Sequence, residues 1–428
     1  MSPPSTKLSP AETSAPSPSA LRYAWMVVGL LVPVALLNYL DRQMLAAMKS
    51  SMVGDISGIA SDAQWGIVLG CFKWVYAGLS PLGGYLADRL SRRHVICASL
   101  FVWSAVTFAT GQVSTYPELL VVRALMGVAE AFYIPAALAM IAEYHGPTRS
   151  RAIGFHQMGI YAGILVGGFS GYVADDPALG WRWAFAACGL IGILYALPLF
   201  ALLKNPPRTA QQQTASLSPV EAGRELLTNK GYLLLVLYFT LPALAGWVVK
   251  DWMPDILRQQ FNLGQGKAGF SAVVYVQVAS LIGVGLGGWL ADRWSKYSAR
   301  GRIFTSALGM SFFLPALFGV GNAGTLGMAI GFLMLFGIGW GFFDCNNMPI
   351  LCQIVRPELR ATGYGIMNLV SIGCGGFADW GFGALRDRAV PLNVIFGVFA
   401  GTALLSILVV LMIRPMESGP LAKESATR

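Results

Sequence analysis

Charge is scarce in this chain: Asp, Glu, Lys and Arg together make up 12% of 428 residues, against 55% hydrophobic ones. So few charges exclude the solvated surface of a soluble protein, and a mean hydropathy of +0.59 exceeds what one soluble core can absorb. The sequence reads as a polytopic membrane protein. Short alternating segments are also missing; the apolar stretches run about twice the roughly ten residues of a barrel strand, which excludes a transmembrane barrel. Histidine occurs three times. The six cysteines, Cys71, Cys97, Cys188, Cys345, Cys352 and Cys374, lie in or beside apolar runs with no metal-ligand spacing. They read as small, free helix residues, and no metal is expected. No Gly-x4-Gly-Lys-[Ser/Thr] loop and no large soluble segment are present, so ATP is not the expected energy source. Ser, His and acidic residues form no nucleophilic cluster, which speaks against an enzyme, and no cofactor is expected. The net charge of +9 does not point to nucleic acid, because Lys and Arg gather in particular loops without interleaved aromatics.

What the chain has in abundance is glycine, 50 residues, which lets membrane helices approach closely. Apolar runs predict an all-α fold of twelve spans at about 23–47, 63–87, 94–113, 117–143, 152–174 and 181–203, then 231–257, 267–291, 302–321, 325–351, 361–384 and 391–413. The domains expected are a disordered tail over 1–20, a six-helix bundle over 21–203, a polar linker over 204–230, a second bundle over 231–414 and a tail over 415–428. A cassette supports the duplication: Gly83-Gly84-Tyr85-Leu86-Ala87-Asp88-Arg89 recurs 204 residues on as Gly287-Gly288-Trp289-Leu290-Ala291-Asp292-Arg293. Arg89, Arg92, Arg93, Arg149, Arg151, Lys204, Arg208, Arg293, Lys296, Arg300, Arg302, Arg356, Arg360 and Arg414 all fall on one side. By the positive-inside rule that side is cytoplasmic, with both termini.

Gly84, Asp88, Arg89, Arg92 and Arg93 match the loop signature of the major facilitator superfamily, which the chain resembles over nearly its whole length. Ser91 departs from the family's usual glycine, and the second copy ends early at Lys296. The resemblance implies two pseudo-symmetric six-helix bundles and a gating role for Gly84, Asp88, Arg89, Arg92, Arg93, Asp292 and Arg293. Glu143, Arg149 and Arg151 after the fourth span resemble the partner cluster of that gate, and Arg356, Glu358 and Arg360 hold the corresponding loop of the second half.

Ionisable residues within the spans are the strongest pointers to function, since each costs at least ~2.5 kcal/mol at a helix centre unless it faces a cavity or a partner. Helix one carries Asn38-Tyr39-Leu40-Asp41-Arg42 and helix four carries Arg123 and Glu130, two turns apart on one face. With Phe72, Trp74 and Tyr76, Trp181-Arg182-Trp183, and Gly365-Ile366-Met367-Asn368, these resemble the anion:cation symporter family and the neighbouring spinster group. The resemblance implies that Arg42 binds a substrate anion while Asp41 and Glu130 take up protons. Guanidinium chemistry agrees, because a permanently charged fork suits a carboxylate, whereas a carboxylate in a dry site can cycle a proton. Arg123 is expected to pair with Glu130. A static buried ion network is the competing reading of these four residues.

Lys73, in the middle of span two, is expected to add positive potential to the cavity beside Tyr76. Lys250 has two readings, a cavity cation or a partner of Asp251. His156 and Gln157 can meet a polyol or cap a loop. An internal echo sets Gly127-x-x-Glu130-x4-Pro135 against Gly341-x-x-Asp344-x4-Pro349, placing Asp344, with Asn346 and Asn347, toward the same cavity. Asn368 joins them as a hydrogen-bonding group, and Asp344 as a further proton carrier. The sum of these readings is a monomeric secondary transporter of a bacterial inner membrane, a proton-coupled symporter of a small organic anion such as a sugar acid. The alternative is a spinster-like carrier of lipid or lysolipid. A non-transporting sensor is disfavoured by the short tails.

Overall fold

Several spans begin where a side chain satisfies the amides that the first helical turn leaves free. Thr115 and Glu118 form a reciprocal capping box at the start of the fourth span. Thr325 caps the tenth by accepting from the amide of Met328. Asn229 does the same for the seventh through Tyr232, and Ser91 caps the third. Between caps, uninterrupted intrahelical bonding is what lipid requires of a peptide backbone.

The computed structural model describes residues 18–145, 148–205, 219–356 and 359–415, apart from the side chains of 83–89 and of 18, 20, 219, 220 and 361. Twelve long helices result, labelled here α1 (Pro18–Ala47), α2 (Asp62–Arg89), α3 (Arg92–Thr110), α4 (Tyr116–Tyr144), α5 (Arg149–Asp175), α6 (Gly180–Leu202), α7 (Lys230–Phe261), α8 (Gln265–Ser295), α9 (Gly301–Gly321), α10 (Leu326–Ile354), α11 (Arg360–Asp387) and α12 (Leu392–Met412). Ten of them are long and apolar enough to cross a membrane by length and composition. The other two, α2 and α11, span 28 residues each and carry intramembrane charge at Lys73 and Asp379. Short helices at Lys49–Asp55 and Pro219–Thr228 complete the described elements.

Pro18, Ser19 and Ala20, expected in the tail, instead form the first turn of α1. The expected tails over 1–17 and 416–428, the linker over 206–218, and Glu358 lie outside the described residues.

Within the first half α1 packs along α5 and α3 along α6; within the second, α8 and α9 flank α10 and α9 packs on α12. The halves meet through α2 against α11 and α5 against α8. Small residues make this possible. At Gly66 a Cβ would meet the backbone of Asp379 and Trp380, so only glycine lets α2 lie this close to α11.

The junction is one-sided. Hydrogen bonds and ion pairs between described residues of the two halves sit at the end away from the arginine-rich loops. Gln265 bonds Ser51 and Asp175, the amide of Gly266 donates to Asp175 at 2.9 Å, and Trp74 donates to the carbonyl of Gly373 at 3.2 Å. Among the described residues the polar contacts at the arginine-rich end include Arg92 with Glu143, Arg149 with the carbonyl of Ala142, and Arg302 with Asp292 at 2.7 Å, each within a half. Among the described residues the halves are thus joined at one face and parted at the arginine-rich one.

Candidate functional site

The middle of the first half is built from α1 and α4. Arg42 Nε donates to Glu130 Oε2 at 2.6 Å, joining residues 88 apart in sequence. The Arg42 side chain is 12% exposed and that of Glu130 is sealed, so the arginine is the only member of the pair that an incoming molecule can reach. Three rings hold it: Tyr39 at 4.9 Å, Phe72 at 4.7 Å and Tyr76 at 5.0 Å from the guanidinium carbon to the ring centroids. Flat cations stack on such faces while their edges stay free to bond anions.

Asp41 lies one position back along α1 and faces α3 instead. Its Oδ2 is 3.0 Å from the Thr107 hydroxyl, which is also 3.0 Å from the Trp103 carbonyl. One hydroxyl proton cannot serve both acceptors. A protonated Asp41 satisfies the geometry in full, donating to Thr107 while Thr107 donates to Trp103. Asp41 Oδ1, Glu130 Oε1 and both amide atoms of Asn38 are buried without partners among the described residues.

Arg123 departs from its expected role. It does not hold Glu130; its Nε points to the carbonyl of Val68 at 3.5 Å and its guanidinium lies 4.7 Å from the Phe72 ring centroid. Both guanidinium groups lie 4.7 Å from the Phe72 ring centroid, and it is Arg42 whose donors reach Glu130.

Lys73 also differs from expectation. It is buried and bonded to two carboxylates of the opposite half, Asp251 of α7 and Asp379 of α11, with the Trp247 ring centroid 4.3 Å from Nζ. It is therefore not a free cavity cation in this state. Asp251 is thereby taken from Lys250, which lies between the rings of Tyr39 and Trp247, 5.2 Å from each centroid. Closer to the closed face, Lys49 binds Asp62 and Asp255, each at 2.6 Å, over the Trp252 ring. Asp387 accepts from the amides of Asp62 and Ala63 at 2.8 and 2.9 Å.

In the second half Asp344 is exposed midway along α10 and lies within electrostatic range of Tyr161 of α5 and Tyr364 of α11, so it faces the parting between the halves. Asn346 and Asn347 do not join it. Both are buried, and Asn346 Nδ2 bonds the carbonyl of Phe342 at 2.9 Å within its own helix. Helical phase accounts for Asn346, which two positions along turns away from the face that Asp344 occupies; Asn347, three positions along, is covered by its neighbours instead. Asn368 likewise donates to its own helix, to Tyr364, at 3.1 Å. His156 is neither a solvated cap nor exposed; its Nε2 meets the Tyr133 hydroxyl at 2.9 Å in the interior, while Gln157 beside it is half-buried.

Of the expected gate, Glu143 is paired with Arg92, while the backbone amide of Arg93 donates to Asn205 Oδ1 at 3.0 Å. Arg151 is exposed, and Arg293 lies 5.8 Å from the Trp289 ring centroid. The side chains of Gly84, Asp88 and Arg89 lie outside the described residues. Asp379 was not anticipated, although an acid within an apolar span was signal enough to find it. Its partner could not be read, because Lys73 is 306 residues away.

Two parted six-helix halves with buried charge at their centre define a membrane transporter and not an enzyme. The chain belongs to the Major Facilitator Superfamily, whose model matches residues 31–378. It is 27% identical over 372 residues to protein spinster homolog 1 of Homo sapiens, covering 81% of this chain and 70% of that protein. It is 28% identical over 307 residues to the D-galactonate transporter of an Escherichia coli O6:H1 strain, covering 65% and 69%. Its fold matches a bacterial homologue of the human lysosomal transporter Spinster, solved inward-facing and unoccupied, with a TM-score of 0.75 at 21% identity over 93% of this chain and 96% of that one.

Proposed function

We propose that this transporter carries a small organic anion, a sugar acid or related carboxylate, into the cytoplasm together with protons by alternating access. The observation that carries the reading is the Arg42–Glu130 pair, in which only the arginine side chain is partly exposed. A substrate carboxylate arriving at Arg42 competes with Glu130 for the same donors. Glu130 can give them up only by taking a proton, because an unpaired carboxylate in a sealed site is strongly disfavoured. Anion binding and proton uptake are thus two halves of one exchange. Asp41, relayed through Thr107 to Trp103, is a second proton carrier, and Asp344 faces the same space from the other half. Tyr39, Tyr76 and Gln157 read the remainder of the substrate.

The arginine-rich face is taken as cytoplasmic and the membrane as a bacterial inner one, so that this parted state is the inward-open one with both termini inside. The unit is a monomer needing no cofactor, since the proton gradient supplies the work. Spinster-like carriage of a lipid or lysolipid is the second reading, favoured by the identity to spinster homologues across four-fifths of the chain.

Uptake of labelled sugar acids and monocarboxylates into proteoliposomes under an inside-alkaline gradient tests the reading. Concentrative uptake by wild type, with Glu130→Gln retaining exchange but losing accumulation, is the expected result. Absence of gradient-driven uptake for every anion, with lysophospholipid binding in detergent, transfers the assignment to the lipid reading.

A further inference from the structure

The charges at the middle of the molecule do not balance within either half. In the first half Arg42, Lys73 and Arg123 face Glu130 and an Asp41 held against the Thr107 hydroxyl, so cations are in excess. In the second, Lys250 stands beside Asp251 and Asp379, with Asp344 exposed farther along the cavity, so carboxylates are in excess. The closed face cancels the two surpluses by lending Lys73 to both second-half carboxylates. Asp379 is fully buried, and its Oδ1 has no partner among the described residues, so Lys73 is what compensates it.

We infer that Asp379 is a further proton-binding site, separate from Glu130, Asp41 and Asp344, and that its protonation unlocks the closed face. This rests on the proton-coupled reading above. When the halves part at that face, Lys73 leaves with α2, and Asp251 and Asp379 keep only Lys250 between them. Tyr39 and Arg42 of α1 and Arg123 of α4 complete the charged or titratable surroundings, and all three depart with the first half. A carboxylate left uncompensated among apolar helices takes a proton. Hydronium at the newly opened face gives that proton to Asp379, leaving water and a neutral carboxylic acid, while Lys73 keeps its own proton. The first half is then left with a surplus of positive charge, which an anionic substrate fills. The same separation that exposes the site thus creates a vacancy for one anion and one for one proton.

Hydrogen exchange of the full chain in nanodiscs, corrected for the intrinsic pH dependence of amide exchange, tests this without any substrate. The readout is segments 62–74 and 373–387, where α2 and α11 meet. Wild type should exchange about tenfold faster at mildly acidic than at alkaline pH, as one added proton shifts the population toward the open face. Asp379→Asn should exchange fast at both, with less than about twofold difference. Lys73→Met/Asp379→Asn, in which the cation and one of its buried partners are removed together, should be equally insensitive to pH and guards against a single variant that fails to fold. Glu130→Gln should keep the wild-type pH response. A wild type indifferent to pH, an Asp379→Asn variant that still responds, or loss of the response in Glu130→Gln each overturns the inference. Failure of anion uptake with this exchange pattern intact would instead sink the substrate reading alone.

Discussion

Arg42 and Glu130, on different helices of the first half, hold one another through a 2.6 Å hydrogen bond while only the arginine touches open space. A buried pair of this kind is weak evidence for stability, because burying both charges offsets most of their attraction. Its value is as a switch, since whatever displaces Glu130 must leave it neutral.

The box of Tyr39, Phe72 and Tyr76 requires a flat cation. Arg42→Lys should therefore behave almost like Arg42→Ala in anion uptake, since an ammonium keeps the charge but loses the fork and the stacking. Each should lower uptake by about two orders of magnitude, in line with the roughly 3 kcal/mol carried by a buried charge-assisted contact. Near-normal uptake by Arg42→Lys would mean that only positive potential is needed.

Two glycines separate conformational from folding effects. Gly66 lies where α2 meets α11 across the halves, and Gly163 lies where α5 meets the Leu36 carbonyl of α1 within one half. Gly66→Ala should shift the population toward opening of the closed face with little loss of melting temperature. Gly163→Ala should lower thermal stability by about 1–3 kcal/mol, as overpacking does, without favouring either face. Cysteine accessibility beside α2 and thermal melts read the two effects, and matching behaviour of the pair would refute the distinction.

Sequence alone was informative wherever a rule acts locally or by repetition. Apolar length placed the spans, the cassette around Gly84 and Gly288 marked two halves, and the cost of intramembrane charge drew attention to Arg42, Asp41 and Glu130. It was silent on pairing. Nothing local distinguishes Arg42 from Arg123 as the partner of Glu130, because that depends on which side of Phe72 each side chain passes. Nor does spacing along α10 reveal that Asn346 turns inward while Asp344 stays exposed. Lys73 looked like a free cavity cation for the same reason, its two carboxylates being 178 and 306 residues distant.

Two lysine- or arginine-centred contacts at the closed face should differ in weight. Lys49 is buried against Asp255 and Trp252, and Lys49→Met leaves Asp255 without its buried cation, a change worth about 3–5 kcal/mol. Arg182 and Asp55 are partly exposed, and Asp55→Asn should change stability by less than about 1 kcal/mol. Equal effects in chemical denaturation would show that water penetrates the Lys49 site.

Asp387 ends α11 in the second half, yet its carboxylate accepts from the amides of Asp62 and Ala63, which begin α2 in the first. A helix start carries free N–H groups and a partial positive charge, so an anion there acts as a cap. Caps ordinarily stabilise a helix, but this one comes from the other half and exists only while the closed face is closed. Removing it should therefore act on the balance between states and leave the helix itself intact. Asp387 is exposed, which limits the effect to about 1 kcal/mol, or roughly a fivefold gain in the population open at that face. Asp387→Ala should show this as faster labelling of a cysteine placed near Ala63, with an unchanged melting temperature and a labelling rate that salt raises in wild type but not in the variant. A lowered melting temperature with unaltered labelling would make Asp387 a part of the fold and not of the gate.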